Sequence, residues 1–292
     1  IINAAEGYTF VGRDVGSSGT LLVASAEIAG ALFDAGEVML IGAGYDFDSG
    51  AILANAGGTG IVTVADGGTL QAGAAENDGI TDIHIGVGGS LAVLNGGTLI
   101  GDVENHGGSF TVGSSPGVAN FGGSFAMDDG RLEVELGGTG EGDFDLYSFA
   151  GAVELAGGLI EFSIYGDYAP LAGDSFAFLT AGGGLDVEDE SLAFVFRGVG
   201  EGFDYAVDIT GEAASVTILN DAGAGEGVVY RGSAAADAFA GGAGNDRLDG
   251  AGGSDTLSGG LGSDVFVLRA ADAAATLDLA DLVTDFELGV DS

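Results

Sequence analysis

The sequence contains no cysteine, no tryptophan and no lysine, and only two prolines among its 292 residues. Without cysteine, disulfides cannot stabilise the fold, and in a secreted protein a bound metal is the usual substitute. Six arginines stand against 45 acidic residues, which gives a net charge of −39. A field of that sign repels nucleic acid and anionic lipid, so we expect neither as a partner. High salt or bound cations must offset the self-repulsion of the compact state.

Long apolar runs are also missing. No stretch reaches the roughly 18–20 apolar residues that a membrane-spanning helix needs, so we expect no membrane insertion. The first ten residues, IINAAEGYTF, show neither the basic region nor the apolar core of a signal peptide. Helical periodicity is nearly absent, and its best candidate is Ala270–Val283. These deficits favour an all-β protein.

Glycine and short alternating segments dominate what is present. The 59 glycines show no collagen period, which indicates a β architecture with many tight turns. In RLEVEL, Leu132, Val134 and Leu136 share one face, and this period of two predicts a half-buried strand. In TDIHI the same period places Ile83 and Ile85 inward and His84 outward.

A short motif, Gly-Gly-Thr/Ser followed by Leu or Phe, recurs at intervals of 8 to 21 residues. It occupies Gly67–Leu70, Gly88–Leu91, Gly96–Leu99, Gly107–Phe110 and Gly122–Phe125. Each copy predicts a tight turn that leads into a strand whose first large residue points inward. A stack of such units forms a β-solenoid, in which each rung buries its apolar face on the next. A β-sandwich with glycine-rich hairpins is the alternative.

The stretch from Ser114 to Thr180 has a distinctive texture, with SSPGVANFGGSFAMDDGRLEVELGG followed by a strand that reads GDSFAFLTA. It resembles the glycine-rich β-helical passenger regions of bacterial autotransporters and related giant adhesins. The resemblance implies that the solenoid continues through this region and that the protein belongs at a cell surface.

A nine-residue unit, G-G-x-G-x-D-x-U-x with U a large apolar residue, repeats near the C-terminus. Gly241–Asp249 and Gly259–Val267 fit it, and Gly250–Ser258 departs from it only at Ala251. A degenerate first copy, Gly232–Ala240, keeps Gly232, Asp237 and Phe239. The pattern resembles the repeats-in-toxin (RTX) family, whose nonapeptides form a calcium-binding β-roll.

The spacing of the unit accounts for its chemistry. Two nonapeptides make one coil, so loops on the same side are eighteen residues apart, which pairs Asp246 with Asp264 and Asp237 with Asp255. Calcium takes six to eight oxygens from carboxylates and carbonyls, whereas zinc would require histidine or cysteine, which the repeats lack. We predict a structural calcium ladder; the predicted metal-site residues are Asp237, Gly241, Gly242, Gly244, Asp246, Gly250, Gly252, Asp255, Gly259, Gly260, Gly262 and Asp264.

The RTX resemblance also carries expectations about localisation. RTX proteins are typically exported by type I secretion through an uncleaved C-terminal signal, which would account for the missing signal peptide. The segment after the repeats, with its DF..G.D pattern, resembles the usual continuation of RTX blocks. We therefore expect an extracellular or cell-surface protein that folds where calcium is abundant.

Catalytic motifs are weak in this sequence. GSSPG, Gly113–Gly117, matches the G-x-S-x-G pattern, but the residue after the serine is Pro116, which has no N–H for an oxyanion hole. Only two histidines occur, His84 and His106; neither lies in an H-E-x-x-H motif, and both are interpreted as surface residues. We therefore expect no enzymatic activity.

The predicted organisation is a glycine-rich solenoid at 1–120, a β-rich continuation at 121–220, a linker at 221–231, an RTX β-roll at 232–268 and a final segment at 269–292. The predicted function is a calcium-stabilised adhesin, surface-layer or matrix component. Such a protein would form an oligomer, filament or lattice, or bind a cell-surface glycan. The alternative is a polysaccharide-acting enzyme (an epimerase, lyase or glycosidase) with a carboxylate pair in a solenoid groove.

Overall fold

A computed structural model describes residues 2–5, 8–12, 16–24, 32–35, 38–46, 51–53, 58–65, 67–73, 82–94, 96–113, 116–188, 191–221, 224–268 and 280–292. Within these ranges the regular structure consists of β-strands, numbered β1 to β29 along the chain. The predicted all-β fold is confirmed, with long parallel sheets as in a β-solenoid. In the same ranges, no helix has the length and apolar character needed to cross a membrane.

Two large sheets form most of the molecule. The first has 16 strands: β1 (Ile2–Ala5), β2 (Tyr8–Val11), β3 (Ser18–Ala24), β5 (Val38–Ile41), β8 (Thr59–Ala65), β10 (Ile83–Ile85), β11 (Gly89–Val93), β13 (Val103–Val112), β15 (Phe125–Leu136), β17 (Val153–Leu155), β18 (Gly158–Ile164), β20 (Leu185–Val187), β21 (Leu192–Val199), β24 (Ala224–Arg231), β26 (Arg247–Asp249) and β28 (Val265–Val267). The second has eight: β4 (Leu32–Asp34), β9 (Thr69–Gln71), β12 (Thr98–Ile100), β14 (Val118–Phe121), β16 (Leu146–Phe149), β19 (Ser175–Ala181), β22 (Asp204–Ile209) and β23 (Ala213–Asn220).

Two smaller sheets complete the strand inventory of the described residues. One has three parallel strands, β25 (Ala238–Ala243), β27 (Thr256–Leu261) and β29 (Leu282–Val283). The other is an antiparallel pair, β6 (Gly44–Asp46) and β7 (Ala51–Leu53). The three-stranded sheet matters for function, because it forms one side of the repeat region.

Successive coils of the solenoid stack in parallel register. One column of paired residues runs through Ile83, Val103, Phe125, Val153 and Leu185. The intervals between these residues are 20, 22, 28 and 32, so the coils lengthen over this part of the chain, whereas the preceding interval, from Met39 to Ile83, is 44. The glycine motif has irregular spacing because its copies lead into strands of both large sheets, for example β11 in the first and β12 in the second.

The inward positions predicted from the glycine motif are the buried ones. Leu70, Leu91, Leu99, Phe110 and Phe125 are at most 2% exposed. In the copy at 107–110, a Cβ on Gly108 would overlap the Ile85 side chain of the preceding coil. Glycine therefore lets the corner of one coil lie against the next, and the first large residue after it enters the core.

Aromatic rings stack through the middle of the solenoid. The ring centroids of Phe125 and Phe149 are 5.3 Å apart with planes inclined by 10°, and those of Phe121 and Phe149 are 4.7 Å apart. Phe110 contacts both Phe121 and Phe125. Truncating one such buried ring to alanine typically costs about 3–5 kcal/mol, so this stack is a major source of stability.

The solenoid ends in strands that belong to two hydrophobic cores. Strand β24 pairs antiparallel with β21, with Val195 opposite Tyr230 and Phe196 opposite Val229. Phe196 and Val229 lie in the solenoid core, whereas Val195 and Tyr230 lie in the core of the repeat region. Because neighbouring residues on a strand point to opposite faces, one pair of strands closes both cores.

This arrangement corrects the linker predicted at 221–231. Residues Ala224–Arg231 form β24, a central strand of the first sheet, and not a flexible connection. Their small and acidic composition indicated a linker, but the apolar VVY segment supplies both cores. The remaining domain limits stay predictions, as does the resemblance of 114–180 to autotransporter passengers.

Two sequence features lie wholly or partly outside the described residues. The serines of the GSSPG turn, at 114 and 115, are not described. Most of the helical candidate Ala270–Val283 is likewise undescribed; at its end, Leu282–Val283 form strand β29 and not a helix.

Candidate metal centre

The four repeats build a flattened roll with strands on two sides. Strand β25 pairs in parallel with β27, with Ala238 opposite Thr256, and β26 pairs with β28, with Arg247 opposite Val265. Each partner is eighteen residues away, which is the stacking register expected from two nonapeptides per coil. Leu248, Leu257 and Phe266 are buried in the roll.

The first repeat contributes its apolar residue differently from the others. Phe239 is only partly buried, and its ring stacks on Tyr230 of strand β24 with centroids 4.0 Å apart and planes inclined by 8°. Arg197 lies over the Phe239 ring, with its guanidinium carbon 5.6 Å from the ring centroid. The roll therefore begins directly on the last strands of the solenoid.

Aspartates form a hydrogen-bonded ladder along each edge of the roll. On one edge, Asp246 Oδ1 accepts from the Val228 N–H at 2.8 Å, and Asp264 Oδ1 accepts from the Asp246 N–H at 3.0 Å. On the other edge, Asp255 Oδ1 accepts from the Asp237 N–H at 2.9 Å. One oxygen of each carboxylate thus holds the preceding rung, and the structure brings together the pairs expected from the sequence.

The second oxygen of two of these carboxylates has no hydrogen-bond donor. Asp246 Oδ2 and Asp255 Oδ2 are buried and unpartnered within the described part of the chain. Burial raises the pKa of Asp246 and of Asp255 from 3.8 to about 6. An ionised carboxylate oxygen in such a place is costly unless a cation or a proton compensates it. The donor set consists of oxygens only, so the site fits calcium.

The first glycine of every repeat lies beneath its own aspartate. A Cβ on Gly241 would overlap Asp246 Oδ2, a Cβ on Gly250 would overlap Asp255 Oδ2, and a Cβ on Gly259 would overlap Asp264 Oδ2. The loop curls so tightly that the carboxylate returns over the residue five places before it. Any side chain there would displace the predicted ligand oxygen.

Other repeat glycines are required by backbone conformation. Gly242 and Gly260, at the second place, have φ of 111° and 100°, and Gly244 and Gly262, at the fourth place, have φ of 98° and 136°. These values lie in a region that side-chain-bearing residues rarely adopt. Ala251, at the second place of the third repeat, has φ of 62° and is the sole non-glycine residue with positive φ in the described ranges.

One predicted site glycine is misplaced. Gly252 occupies the third place of its repeat, lies outside the positive-φ region, and meets nothing closer than 3.5 Å at its Cβ. The structural equivalent of Gly244 and Gly262 is its neighbour Gly253, with φ of 116° and a Cβ position that overlaps the Ala235 carbonyl. The repeat pattern itself places glycine at the fourth position, so the sequence contained this signal.

The degenerate first repeat satisfies its aspartate with protein donors. Asp237 Oδ2 accepts from the Ser233 N–H at 2.7 Å and from the Ser233 hydroxyl at 3.2 Å. Ala235 stands where the other repeats have their fourth-place glycine, without positive φ. Asp237 therefore has less free oxygen to offer a cation than Asp246 or Asp255.

Three further aspartates close the roll, and the spacing analysis missed them. Asp281 Oδ1 accepts from the Asp255 N–H at 3.1 Å, and Asp291 Oδ1 accepts from the Asp264 N–H at 3.0 Å. The Asp285 carboxylate accepts from the N–H groups of Gly259 and Gly260, and hydrogen bonds with the Ser258 hydroxyl hold its pKa below the usual range. The only sequence signal was the DF..G.D continuation.

The interpretation of the histidines as surface residues is wrong for His84. Its side chain points away from the core, as the alternation predicted, yet the residue is only 6% exposed. The ring stacks on that of His106 from the next coil, with centroids 5.4 Å apart and planes inclined by 12°. Glu104 lies beside both rings, so the three residues form a second cluster, far along the sheet from the roll.

Comparison with known families identifies the roll. A family model described as the RTX calcium-binding nonapeptide repeat matches residues 231–266 in four copies. No curated protein sequence matches the chain. The chain therefore carries an RTX module, a type that binds calcium as a structural ion and is typical of secreted bacterial proteins. The ligand assignment of individual residues stays a prediction.

Proposed function

We propose that this chain is a secreted, calcium-stabilised structural protein of a cell surface or extracellular matrix, without enzymatic activity. In this proposal it assembles with copies of itself, or attaches to a surface, when calcium is present. The calcium ions are held by the paired carboxylates of Asp246 with Asp264 and of Asp237 with Asp255. Carbonyl oxygens of the glycine loops supply the remaining ligands.

The observation that carries the proposal is the pair of strands shared by the two cores. Strands β21 and β24 contribute side chains to both the solenoid core and the roll core. The folding of the roll and the folding of the last solenoid coil therefore depend on each other. Calcium bound in the roll therefore stabilises the neighbouring coils as well as the repeats. A structural role for the ion follows more directly than a catalytic one.

The size of the roll core explains why ions are needed. The repeats bury three large apolar side chains, Leu248, Leu257 and Phe266. At about 1.5–3 kcal/mol each, their burial falls well short of the ordering cost of about 1–2 kcal/mol for every residue of the loops. The unpartnered carboxylate oxygens add a further cost. Bound calcium removes the cost of these unpartnered oxygens, because it coordinates them, and it also links the edges of adjacent rungs.

Exposed apolar side chains near the end of the roll support assembly with a second copy. Leu261 is 76% exposed, Leu268 70% and Leu288 92%, and Leu282 and Phe286 are also exposed. We call these five residues the roll-end surface. They lie on loops and rungs that calcium would order, while the net charge of −39 keeps calcium-free molecules apart.

Light scattering and electron microscopy of the full chain would test the proposal during titration with calcium. We expect self-association at millimolar calcium but not with magnesium, which screens charge similarly but demands a tighter coordination geometry. The double variant Leu268→Ser with Leu288→Ser should abolish association while retaining calcium binding. Leu22→Ser, which changes a leucine that is 65% exposed on strand β3 of the solenoid, is the control. A protein that stays monomeric and non-adherent at millimolar calcium would overturn the proposal.

A groove on the outer face of the solenoid is the observation that favours the alternative function, a polysaccharide-acting enzyme. It has a volume of about 410 Å³, and Arg131 and Glu133 line it. Glu133 pairs in register with Glu161, which places two carboxylates on neighbouring strands. However, Glu161 forms an ion pair with Arg197 at 2.9 Å and another with Arg131 at 3.5 Å. The two arginines therefore occupy the Glu161 carboxylate, which the enzyme alternative would need free for a substrate. Turnover of an acidic polysaccharide would support the enzyme.

A further inference from the structure

The two histidines of the chain meet on the outer face of the solenoid because of strand register. His84 on β10 stands directly opposite Glu104 on β13. His106 follows Glu104 by two residues on the same strand, so their side chains leave the strand on the same side. Residues far apart in the sequence are thereby placed around one point, outside the core and far along the sheet from the RTX roll.

Three atoms of these side chains form a nearly equilateral triangle. His84 Nδ1 lies 3.1 Å from His106 Nε2, and Glu104 Oε2 lies 3.2 Å from each of these nitrogens. The imidazole rings are stacked with planes inclined by 12°, so a rotation of the rings about χ2 is needed to direct both lone pairs at one ion. No other group of three or more such side chains with converging ligand atoms occurs in the described residues.

A carboxylate fixes the tautomer of one histidine. His106 Nδ1 lies 3.0 Å and 3.1 Å from the two oxygens of Asp128. The Nδ1–H of His106 donates to this carboxylate, so its Nε2 presents a lone pair to the triangle. A register shift in the pairing of β13 with β15 accompanies this contact, because Asn105 pairs with Met127 but His106 pairs with Asp129. The extra residue in this β-bulge is Asp128.

All three atoms of the triangle can donate an electron pair to one cation. His106 Nε2 presents its lone pair because its Nδ1–H is directed at Asp128, and Glu104 Oε2 is a carboxylate oxygen. The separation of 3.2 Å between this nitrogen and this oxygen is typical of two ligands that share one metal ion. A metal ion at the centre would therefore contact all three atoms together.

The dimensions and the donor types select the metal. Zinc binds imidazole nitrogen and carboxylate oxygen at about 2.0–2.2 Å, and at that distance it would stand roughly 1 Å above the plane of the three atoms. That position leaves a fourth direction open, and Glu104 and His106 themselves line a surface depression from which a further ligand would enter. Two imidazoles favour a zinc-class ion over calcium or magnesium, which take oxygen ligands.

We propose that His84, Glu104 and His106 bind one zinc-class divalent ion, with Asp128 orienting His106 and one coordination position open to solvent. The site is independent of the calcium ladder in position and in donor chemistry. A protein with separate oxygen and nitrogen sites would respond to two different metals. The open position would accept water or an outside ligand, such as a side chain of a neighbouring molecule.

Cobalt is the direct probe of this site, because the intensity of its d–d absorption distinguishes four- or five-coordinate Co²⁺ from the six-coordinate hydrated ion. The full chain in millimolar calcium should bind one equivalent of Co²⁺ in a four- or five-coordinate state, and Zn²⁺ should displace it. Glu104→Gln and His106→Gln should each weaken binding at least 100-fold. Asp128→Asn should weaken it about 10- to 100-fold, since it removes an orienting contact and not a ligand. Asp186→Asn, which changes a carboxylate in register with Glu154 on the same sheet but outside this depression, is the matched control and should bind normally.

Nuclear magnetic resonance provides a second readout that does not depend on the variants. The chain has only two histidines, so ¹⁵N signals of the imidazole rings report on this site alone. One equivalent of Zn²⁺ should shift the signals of both rings, with metal on Nδ1 of His84 and on Nε2 of His106. Unshifted histidine signals, or Co²⁺ binding equal in the wild type, Glu104→Gln and His106→Gln, would overturn the proposal. The excess calcium rules out adventitious binding to the acidic surface as an explanation of a positive result.

Discussion

Alanine substitutions at Gly242 and Gly260 provide a matched test of how the loops stack. Both glycines occupy the second place of their repeats, they pair with each other in register, and both have positive φ. They differ in what a Cβ would meet. At Gly242 nothing lies within 4 Å, whereas at Gly260 the Cβ would overlap the carbonyl oxygen of Gly242 in the adjacent rung.

The expected loss of stability in each variant follows from the positive φ and from the contacts of the added Cβ. An alanine held at such a φ costs about 1–3 kcal/mol, and both variants carry this cost. Gly260→Ala adds a clash with backbone that no side-chain rotation can relieve, worth about 2 kcal/mol by analogy with overpacking in cores. We therefore expect Gly260→Ala to destabilise the roll about 2 kcal/mol more than Gly242→Ala does.

Hydrogen exchange of the full chain at saturating calcium would measure this difference. In the regime where exchange reports the opening equilibrium, 2 kcal/mol corresponds to roughly 30-fold faster exchange of the β26 and β28 amides. The solenoid amides of β13 and β15 should be unchanged and serve as the internal control. Equal acceleration in the two variants would refute the stacking of the loop at Gly260 on the loop at Gly242.

Four further outcomes are expected. In calorimetric calcium titrations, the double variant Asp246→Asn with Asp264→Asn should lose little more calcium affinity than either single variant, because the two residues share one edge. The losses of affinity in Asp246→Asn and Asp255→Asn should be close to additive in their double variant. The reverse order would contradict the eighteen-residue register. Ala251→Gly should stabilise the roll by about 1 kcal/mol in thermal unfolding, because it relieves an alanine at positive φ. Burial raises the pKa of Asp145 from 3.8 to about 7. The stabilising contribution of protonated Asp145 is therefore full below pH 3.8 and declines as the pH rises through 7. The free energy of unfolding should fall by up to about 4 kcal/mol over that range, and Asp145→Asn should make its dependence on pH weaker. Removal of calcium with a chelator should accelerate exchange in β21 and β24 as well as in the repeats, and protection of β21 unaltered by the chelator would contradict the shared core.

The RTX roll was predictable from sequence because its determinants are local. Each nonapeptide contains its own ligand, the glycine beneath that ligand and one inward side chain. The period of nine therefore predicts the register between Asp246 and Asp264 without knowledge of the rest of the fold. The solenoid core was predictable for a similar reason, since residues such as Leu132 and Val134 follow the period of two within one strand.

The histidine cluster was not predictable, because it depends on pairing between coils of unequal length. Alternation along TDIHI correctly directed His84 outward, but its burial depends on both neighbouring coils, with Leu40 on one side and His106 and Glu104 on the other. Paired positions are 20 residues apart between β10 and β13 and 22 residues apart between β13 and β15. The sequence therefore has no constant period from which this pairing could be predicted. The bulge that adds Asp128 has no sequence signature either.

The closing aspartates were missed for a different reason. Asp281 and Asp291 act as the next rungs of the two ladders, at intervals of 26 and 27 residues from the rungs they hold. The stretch at 269–279 interrupts the period of nine before they occur. The linker prediction at 221–231 was wrong because it relied on the many small and acidic residues of this stretch. These residues surround the short apolar segment of β24, which is the part that forms the strand.

The strand pair β21–β24 limits how the calcium-binding unit can be transplanted. A cut before residue 232 would separate the repeats from Val195 and Tyr230, which close one side of their core. A cut before residue 192 would carry those strands along but would bare Phe196 and Val229, whose burial depends on the solenoid. No boundary in this stretch leaves both fragments with intact interiors. Recombination or engineered domain exchange at this junction should therefore succeed only when the incoming partner brings its own apolar cover for that sheet.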